Sequence, residues 1–258
     1  KFRRGLVDHP YLPETDPKYS YAEFPQASRL AEQSMVLLKN TQNILPLRLD
    51  KPLRLGLTGP NADAIYHQLG DYTPPLRPDA GCTPRQGLAR LLENTPAQLT
   101  YHPGCPMFEA DPAMRSQAAA ALADSDVILA VLGGSSSRFA ACDFDANGAA
   151  KKQHTVTMDC GENVDDALLR LPGEQLDLLR ELHATGKPVV TILIGGRPYE
   201  MAEIDALSDA IFCCFYPGPT GGDALARLLF GLAEPAGRLS VSFPDHAGQL
   251  PVYYNAKD

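Results

Sequence analysis

The chain has 258 residues, 44% of them apolar, and a formal net charge of −8. That length is enough to bury a full core in one α/β domain, and the apolar share is that of a globular protein. The acidic balance excludes nucleic acid as a partner, because phosphate binding needs a basic face, and no apolar run is long enough to predict a membrane span. Residues 1–24 hold three prolines and no periodicity, and read as a linker. A helix is predicted over 25–35, with Leu30, Ala31 and Ser34 near one face, then a short extended run over 36–38. Residues 53–57 form the first clear strand. After it, Pro60 and Asn61 can start a helix whose N–H groups point at the strand's end. Such an end can hold an anion, but with no Gly-x-Gly-x-x-Gly and no Walker lysine it reads as a plain strand-to-helix turn. Thr83-Pro84 caps a helix running to Glu93, residues 98–101 form a strand, and Asp111-Pro112 opens an Ala-rich helix to Asp124. Residues 126–132 are a nearly unbroken run of Val, Ile and Leu, as in a strand buried on both faces. Gly133-Gly134 ends it. Residues 172–184 form an amphipathic helix with Pro172 first and Leu176, Leu179 and Leu182 inward. Val189–Ile194 and Ala210–Phe215 are further buried strands, 221–230 a helix, 238–243 a last strand, and 245–258 an irregular exit. The alternation predicts an α/β fold, a three-layer α/β/α sandwich over 25–244, with a mostly parallel sheet of about six strands.

Between Gly134 and Leu171 runs a Ser-rich, helix-poor loop, far longer than the usual connection of about four to six residues. It brings Asp159, Glu162, Asp165 and Asp166 close together with few basic residues beside them. A long acidic loop at the C-terminal end of a central strand is where open α/β sheets place ligand chemistry. Part of 139–163 is expected to make few contacts with the core. Gly161 gives the backbone room to turn at Glu162, the sharpest candidate for proton transfer. Arg138, just past the Gly-Gly pair and three serines, can hydrogen-bond ligand hydroxyls or pair with the loop carboxylates. Asp143, Asp145, Asn147 and Gly148 spell the first half of a calcium loop, but position 12 is His154 rather than a bidentate Glu, so the stretch reads as a polar turn. His102, His154 and His183 have no Ser or Cys partner, and Gly-x-Ser-x-Gly is absent, which argues against a hydrolase triad. No Cys-x-x-Cys occurs and the histidines lack zinc spacing, so no metal or other cofactor is expected. The six cysteines read as reduced thiols and the protein as cytoplasmic, with Cys213 and Cys214 as small core residues. No signal peptide is visible. Tryptophan is absent, leaving ten Tyr and nine Phe for any stacking on a ligand.

Residues 160–179, CGENVDDALLRLPGEQLDLL, resemble the acid/base segment of glycoside hydrolase family 3, which often reads Glu-Gly-x-Asp-Arg and then Leu-Pro-Gly-x-Gln. Matches to the same family continue in order through SRLAEQSMVLLKNTQNILPL (28–47), LRLGLTGPNAD (53–63), LGDY (69–72), GKPVVTILIGGRP (186–198), YPGPTGGDALARLLFG (216–231) and PAGRLSVSFP (235–244). The resemblance implies the α/β-sandwich domain that follows a catalytic barrel. Residues 1–24 then lead out of an N-terminal barrel of the same polypeptide, and 245–258 lead toward a possible third domain. It also implies a retaining, exo-acting, β-glucosidase-like enzyme acting on a β-linked glycoside or oligosaccharide. In that scheme an Asp of the barrel attacks the anomeric carbon and Glu162 donates and later removes a proton, with Arg138, Asp159 and Asp165 as substrate contacts. An isolated chain would be inactive, because one of two interdependent carboxylates is missing. One departure stands out: Asp166 occupies the place where the family often has an arginine that balances the local charge. The alternative is a non-catalytic carbohydrate-binding or barrel-packing module, which Glu162 would betray by turning away from the cleft. A flavodoxin-like nucleotide binder lacks the glycine fingerprint.

Overall fold

The computed structural model describes residues 2–5, 7–11, 25–73, 76, 80–137, 146, 158–162 and 164–255. One sheet is built from β1 (Val36–Asn40), β2 (Leu53–Thr58), β3 (Ala97–His102), β4 (Val127–Gly133), β5 (Val189–Ile194) and β6 (Ala210–Phe215). Its order is β1-β6-β5-β4-β2-β3. Strands β2 to β6 run parallel, and β1 closes one edge antiparallel to β6. The helices are α1 (Pro25–Ser34), α2 (Pro84–Leu92), α3 (Pro112–Leu122), α4 (Gln175–Ala184), α5 (Ala202–Ala206) and α6 (Gly221–Leu229).

Every residue of β4 is buried. The alternation of side chains along a strand sends Leu129 and Val131 into a core with Ala31, Leu88 and Leu225 of α1, α2 and α6. It sends Ile128, Ala130 and Leu132 into a second core with Leu122, Leu178 and Ile204 of α3, α4 and α5. Helices therefore cover both faces, as the unbroken apolar runs require. The ends are set locally: Thr83 and Gln86 form a capping box at α2, and the Asp111 carboxylate accepts from Met114 N–H to open α3.

Three expectations need correction. The stretch after β2 is not a helix from Pro60: it makes a turn and then a 3-10 helix, Ile65–Gln68, because Asn61 is drawn against the sheet, its N–H donating to Val131 O at 3.3 Å. Helix α4 starts at Gln175 rather than Pro172, since Gly173 sits at φ +56, outside helical space. Leu178, Leu179 and Leu182 are its buried leucines, and Leu176 is only partly covered. Residues 238–243 form no strand. Their alternating polar and apolar residues mimic one, but the segment stays outside the sheet. The sixth strand is β1, whose extended run the sequence does show. Segment 244–247 folds back onto the domain, with Met201 N–H donating to Pro244 O at 2.9 Å and Ala247 N–H to Glu200 Oε1 at 2.8 Å.

The chain lays β3 beside one flank of β2, crosses over to β4 on the other, and continues outward through β5 and β6. The direction of winding reverses between β2 and β4. Connections leaving the C-terminal ends of those two strands diverge and leave a crevice, the usual ligand position in open α/β sheets.

Candidate active site

The floor of the crevice is made by β4's end. Gly133 has φ +124, and a Cβ there would lie 1.9 Å from Ile194 O; a Cβ on Gly134 would lie 2.0 Å from Asp159 Oδ1. Only glycine lets the long loop return this close to the strand. Asp159 makes that return: its N–H donates to Ser135 O at 3.0 Å, while its carboxylate accepts from Ser135 N–H and from the Tyr199 hydroxyl, each at 2.8 Å. Burial, and then the Asp159 charge, push the Tyr199 phenol well above its ordinary pKa, so it stays a donor. Asp159 is 6% exposed. Expected as a substrate contact, it turns both oxygens toward the fold's own donors and pins the root of the loop.

Glu162 stands on the turn that follows this root, exposed to solvent. Gly161, at φ +136, and Val164 pair across a tight turn, with Val164 N–H donating to Gly161 O at 3.2 Å. The turn meets residues arriving from the other side of the crevice. The Asp71 carboxylate accepts from Glu162 N–H at 3.1 Å and from Tyr72 N–H at 2.8 Å. The Tyr72 hydroxyl donates to Glu162 Oε2. Tyr72 holds φ +58, a conformation that costs a non-glycine residue roughly 1–3 kcal/mol and is most often retained at functional sites. Buried Gln68 anchors this arm, its Nε2 donating to Cys82 O at 2.9 Å and Gly218 O at 2.8 Å.

Arg197, just past β5, ties the two ends of the acidic turn together. Its guanidinium donates to Asp159 O and Leu168 O, both at 2.7 Å, and pairs with Asp166 at 3.2 Å. The charge at position 166, where the resemblance would have placed an arginine, is met here by Arg197. Asp165 is exposed and makes no hydrogen bond or ion pair with the described residues. Arg138, the calcium-like stretch 143–148 apart from Ala146, His154 and most of 139–157 lie outside the described residues.

Beneath the crevice, the Asn61 amide nitrogen lies 3.2–3.3 Å from the carbonyls of Leu132, Gly134 and Ile194. Those oxygens only accept, so Asn61 Oδ1 must be the acceptor for His67 Nδ1–H, 2.8 Å away. Burial lowers the His67 pKa, opposed by a hydrogen bond to the Pro60 backbone and by the Asp159 charge. The Cys160 sulfur lies 2.9 Å from the Tyr216 hydroxyl, and burial raises both pKa values. Among the described residues no cluster of His, Cys, Asp and Glu could hold a metal, and no helix is long and apolar enough to cross a membrane.

Asp71, Tyr72 and Arg197 escaped sequence reasoning as site residues, although LGDY and GGRP are both within the matched motifs. The signal was their position: each follows a strand that borders or neighbours the winding reversal.

The family model described as the glycosyl hydrolase family 3 C-terminal domain matches residues 35–258. The periplasmic beta-glucosidase of Salmonella typhimurium is 31% identical over 99% of this chain and 34% of that protein. A beta-xylosidase of Formosa agariphila is 34% identical over 88% of this chain and 29% of that protein. Among solved structures, a beta-glucosidase from Listeria innocua in complex with isofagomine superposes with a TM-score of 0.78 at 29% identity, over 98% of this chain and 32% of its own. A beta-glucosidase from Erythrobacter marinus gives 0.76 at 32% identity, over 98% of this chain and 34% of its own. The chain thus spans about a third of the length of these relatives.

Proposed function

The chain belongs to glycosyl hydrolase family 3 as its C-terminal domain, and from that premise we propose that it supplies the general acid/base, Glu162, and one wall of the active site of a retaining, exo-acting β-glycosidase. The observation that carries the reading is the place of Glu162. It is exposed on a tight turn pinned by Asp159 and Arg197, and meets Asp71 and Tyr72 across the crevice where the sheet reverses its winding.

A retaining hydrolase needs two carboxyl groups about 5–5.5 Å apart, one attacking the anomeric carbon and one moving the proton of the leaving oxygen. Glu162 is the second. The first is an Asp on an N-terminal barrel of the same polypeptide, and without that barrel the chain is inactive. Asp165, exposed on the same turn, and Arg138 are proposed substrate contacts. Asp159 serves the substrate indirectly, by holding the turn in place. The relatives' names point to β-linked glucose or xylose as the sugar. The free thiols of Cys82, Cys105, Cys160, Cys213 and Cys214 support a reducing compartment, while one relative is named periplasmic. The alternative, a non-catalytic carbohydrate-binding or barrel-packing module, would have Glu162 turned away from the crevice, and the bonds of Glu162 to Tyr72 and Asp71 across the crevice favour the catalytic reading.

The test is Glu162→Gln in the complete polypeptide, assayed first on nitrophenyl β-glucoside and β-xyloside to choose the sugar. Alkyl glycosides, which need a protonated leaving oxygen, should lose hydrolysis far more than dinitrophenyl glycosides. Azide should restore the second step of the dinitrophenyl reaction. Equal slowing of both substrates, with no response to azide, would remove Glu162 from the role.

A further inference from the structure

We propose that Tyr72 is a positioning residue for Glu162, holding the plane of its carboxyl group through one oxygen so that the proton is presented in a fixed direction. This rests on the reading of Glu162 as acid/base and extends it across the crevice. Three observations carry it. The Tyr72 hydroxyl donates to Glu162 Oε2. Asp71 holds the backbone N–H groups of both residues with one carboxylate, so the two move as a unit. Tyr72 is 76% exposed and sits at φ +58, a backbone state that neither core packing nor local propensity explains for an aromatic side chain.

In the first step the glycosidic C–O bond breaks as its electron pair goes to the leaving oxygen. That oxygen takes the proton from Glu162, and the barrel nucleophile forms the new bond to the anomeric carbon. Tyr72 keeps its own proton throughout. Its hydrogen bond suits both states of the carboxyl, donating to the carbonyl oxygen of the acid before transfer and to the carboxylate after it. A carboxyl held at one oxygen cannot rotate freely, and productive proton transfer depends on that geometry.

The experiment is a double-mutant cycle in the complete polypeptide, reading kcat/KM, which reports the first chemical step. Tyr72→Phe keeps the ring and removes only the hydroxyl. It should lower kcat/KM about tenfold or more for an alkyl glycoside and less than about twofold for the dinitrophenyl glycoside of the same sugar, the size of a hydrogen bond to a charged group. In the Glu162→Gln background, Tyr72→Phe should change neither substrate. No loss, an equal loss on both substrates, or a loss that persists in the Glu162→Gln background would overturn the proposal and leave Glu162 untouched. If Glu162→Gln itself shows no leaving-group dependence, the acid/base reading fails, and the role of Tyr72 fails with it.

Discussion

The root and the tip of the acidic turn carry the same kind of side chain in opposite surroundings. At the root, Asp159 is buried and each of its two oxygens accepts from the fold's own donors, Ser135 N–H and the Tyr199 hydroxyl. At the tip, Glu162 is exposed and touched by residues from across the crevice. A carboxylate whose partners belong to its own fold acts on stability. A carboxylate held at the edge of an opening can exchange a proton with something outside. The acidic cluster seen in the sequence is therefore divided by burial into a fastening, Asp159, and an exposed carboxylate, Glu162, which is the proposed working group.

That separation can be broken by mutation, beginning with the largest effect. Gly134→Ala drives a methyl group to 2.0 Å from the Asp159 carboxylate, which can yield only by giving up its bonds to Ser135 N–H and the Tyr199 hydroxyl. The expected loss is about 3 kcal/mol of unfolding free energy, read from urea melts. Asp159→Asn keeps the volume but can no longer accept from both donors, and should cost about 2 kcal/mol. A loss under about 0.5 kcal/mol, the level of an ordinary surface change, would erase the contrast with Glu162.

A smaller effect is expected on the acid side of the stability profile. The His67 pKa is lowered in the fold by burial, so the unfolded chain, with its pKa near the ordinary value of about 6.5, binds the proton more readily. The contribution of neutral His67 is thus fully present above about pH 6.5 and is lost as pH falls through the folded value. His67→Gln should flatten the fall of Tm below that pH. An unchanged slope would mean that another group sets it. Smallest of all, Glu162→Gln and Tyr72→Phe should each shift stability by less than about 0.5 kcal/mol, since both side chains are exposed. A large loss in either would place the tip among the fastenings and end the distinction.

Much of the fold was legible because long apolar runs bounded by glycine and proline have one sensible reading. β4 and β5 are buried throughout, and their sequences say so. The failures have a common cause. The helix expected from Pro60 gave way to a turn because Asn61 bonds to β4 and β5, which lie far along the chain. The strand expected over 238–243 has the right alternation but no partner in the sheet, and a strand is a property of two segments. At the candidate site, Glu162 was singled out through its motif, while Asp71, Tyr72 and Arg197 were not. Each matters through a contact with a residue distant in sequence, and nothing in the local pattern records such a pairing.

The Asn61 amide has a consequence for which replacements that position can bear. Its nitrogen faces three carbonyl oxygens. Ionised aspartate, the side chain closest to it in outline, would set an oxygen against all three, with no proton to share. The conversion needs no more than hydrolysis of the side-chain amide, and it turns the junction of two strands and a loop from attraction into repulsion. Similarity of shape is a poor guide here, and a smaller residue that left room for water would be the gentler substitution.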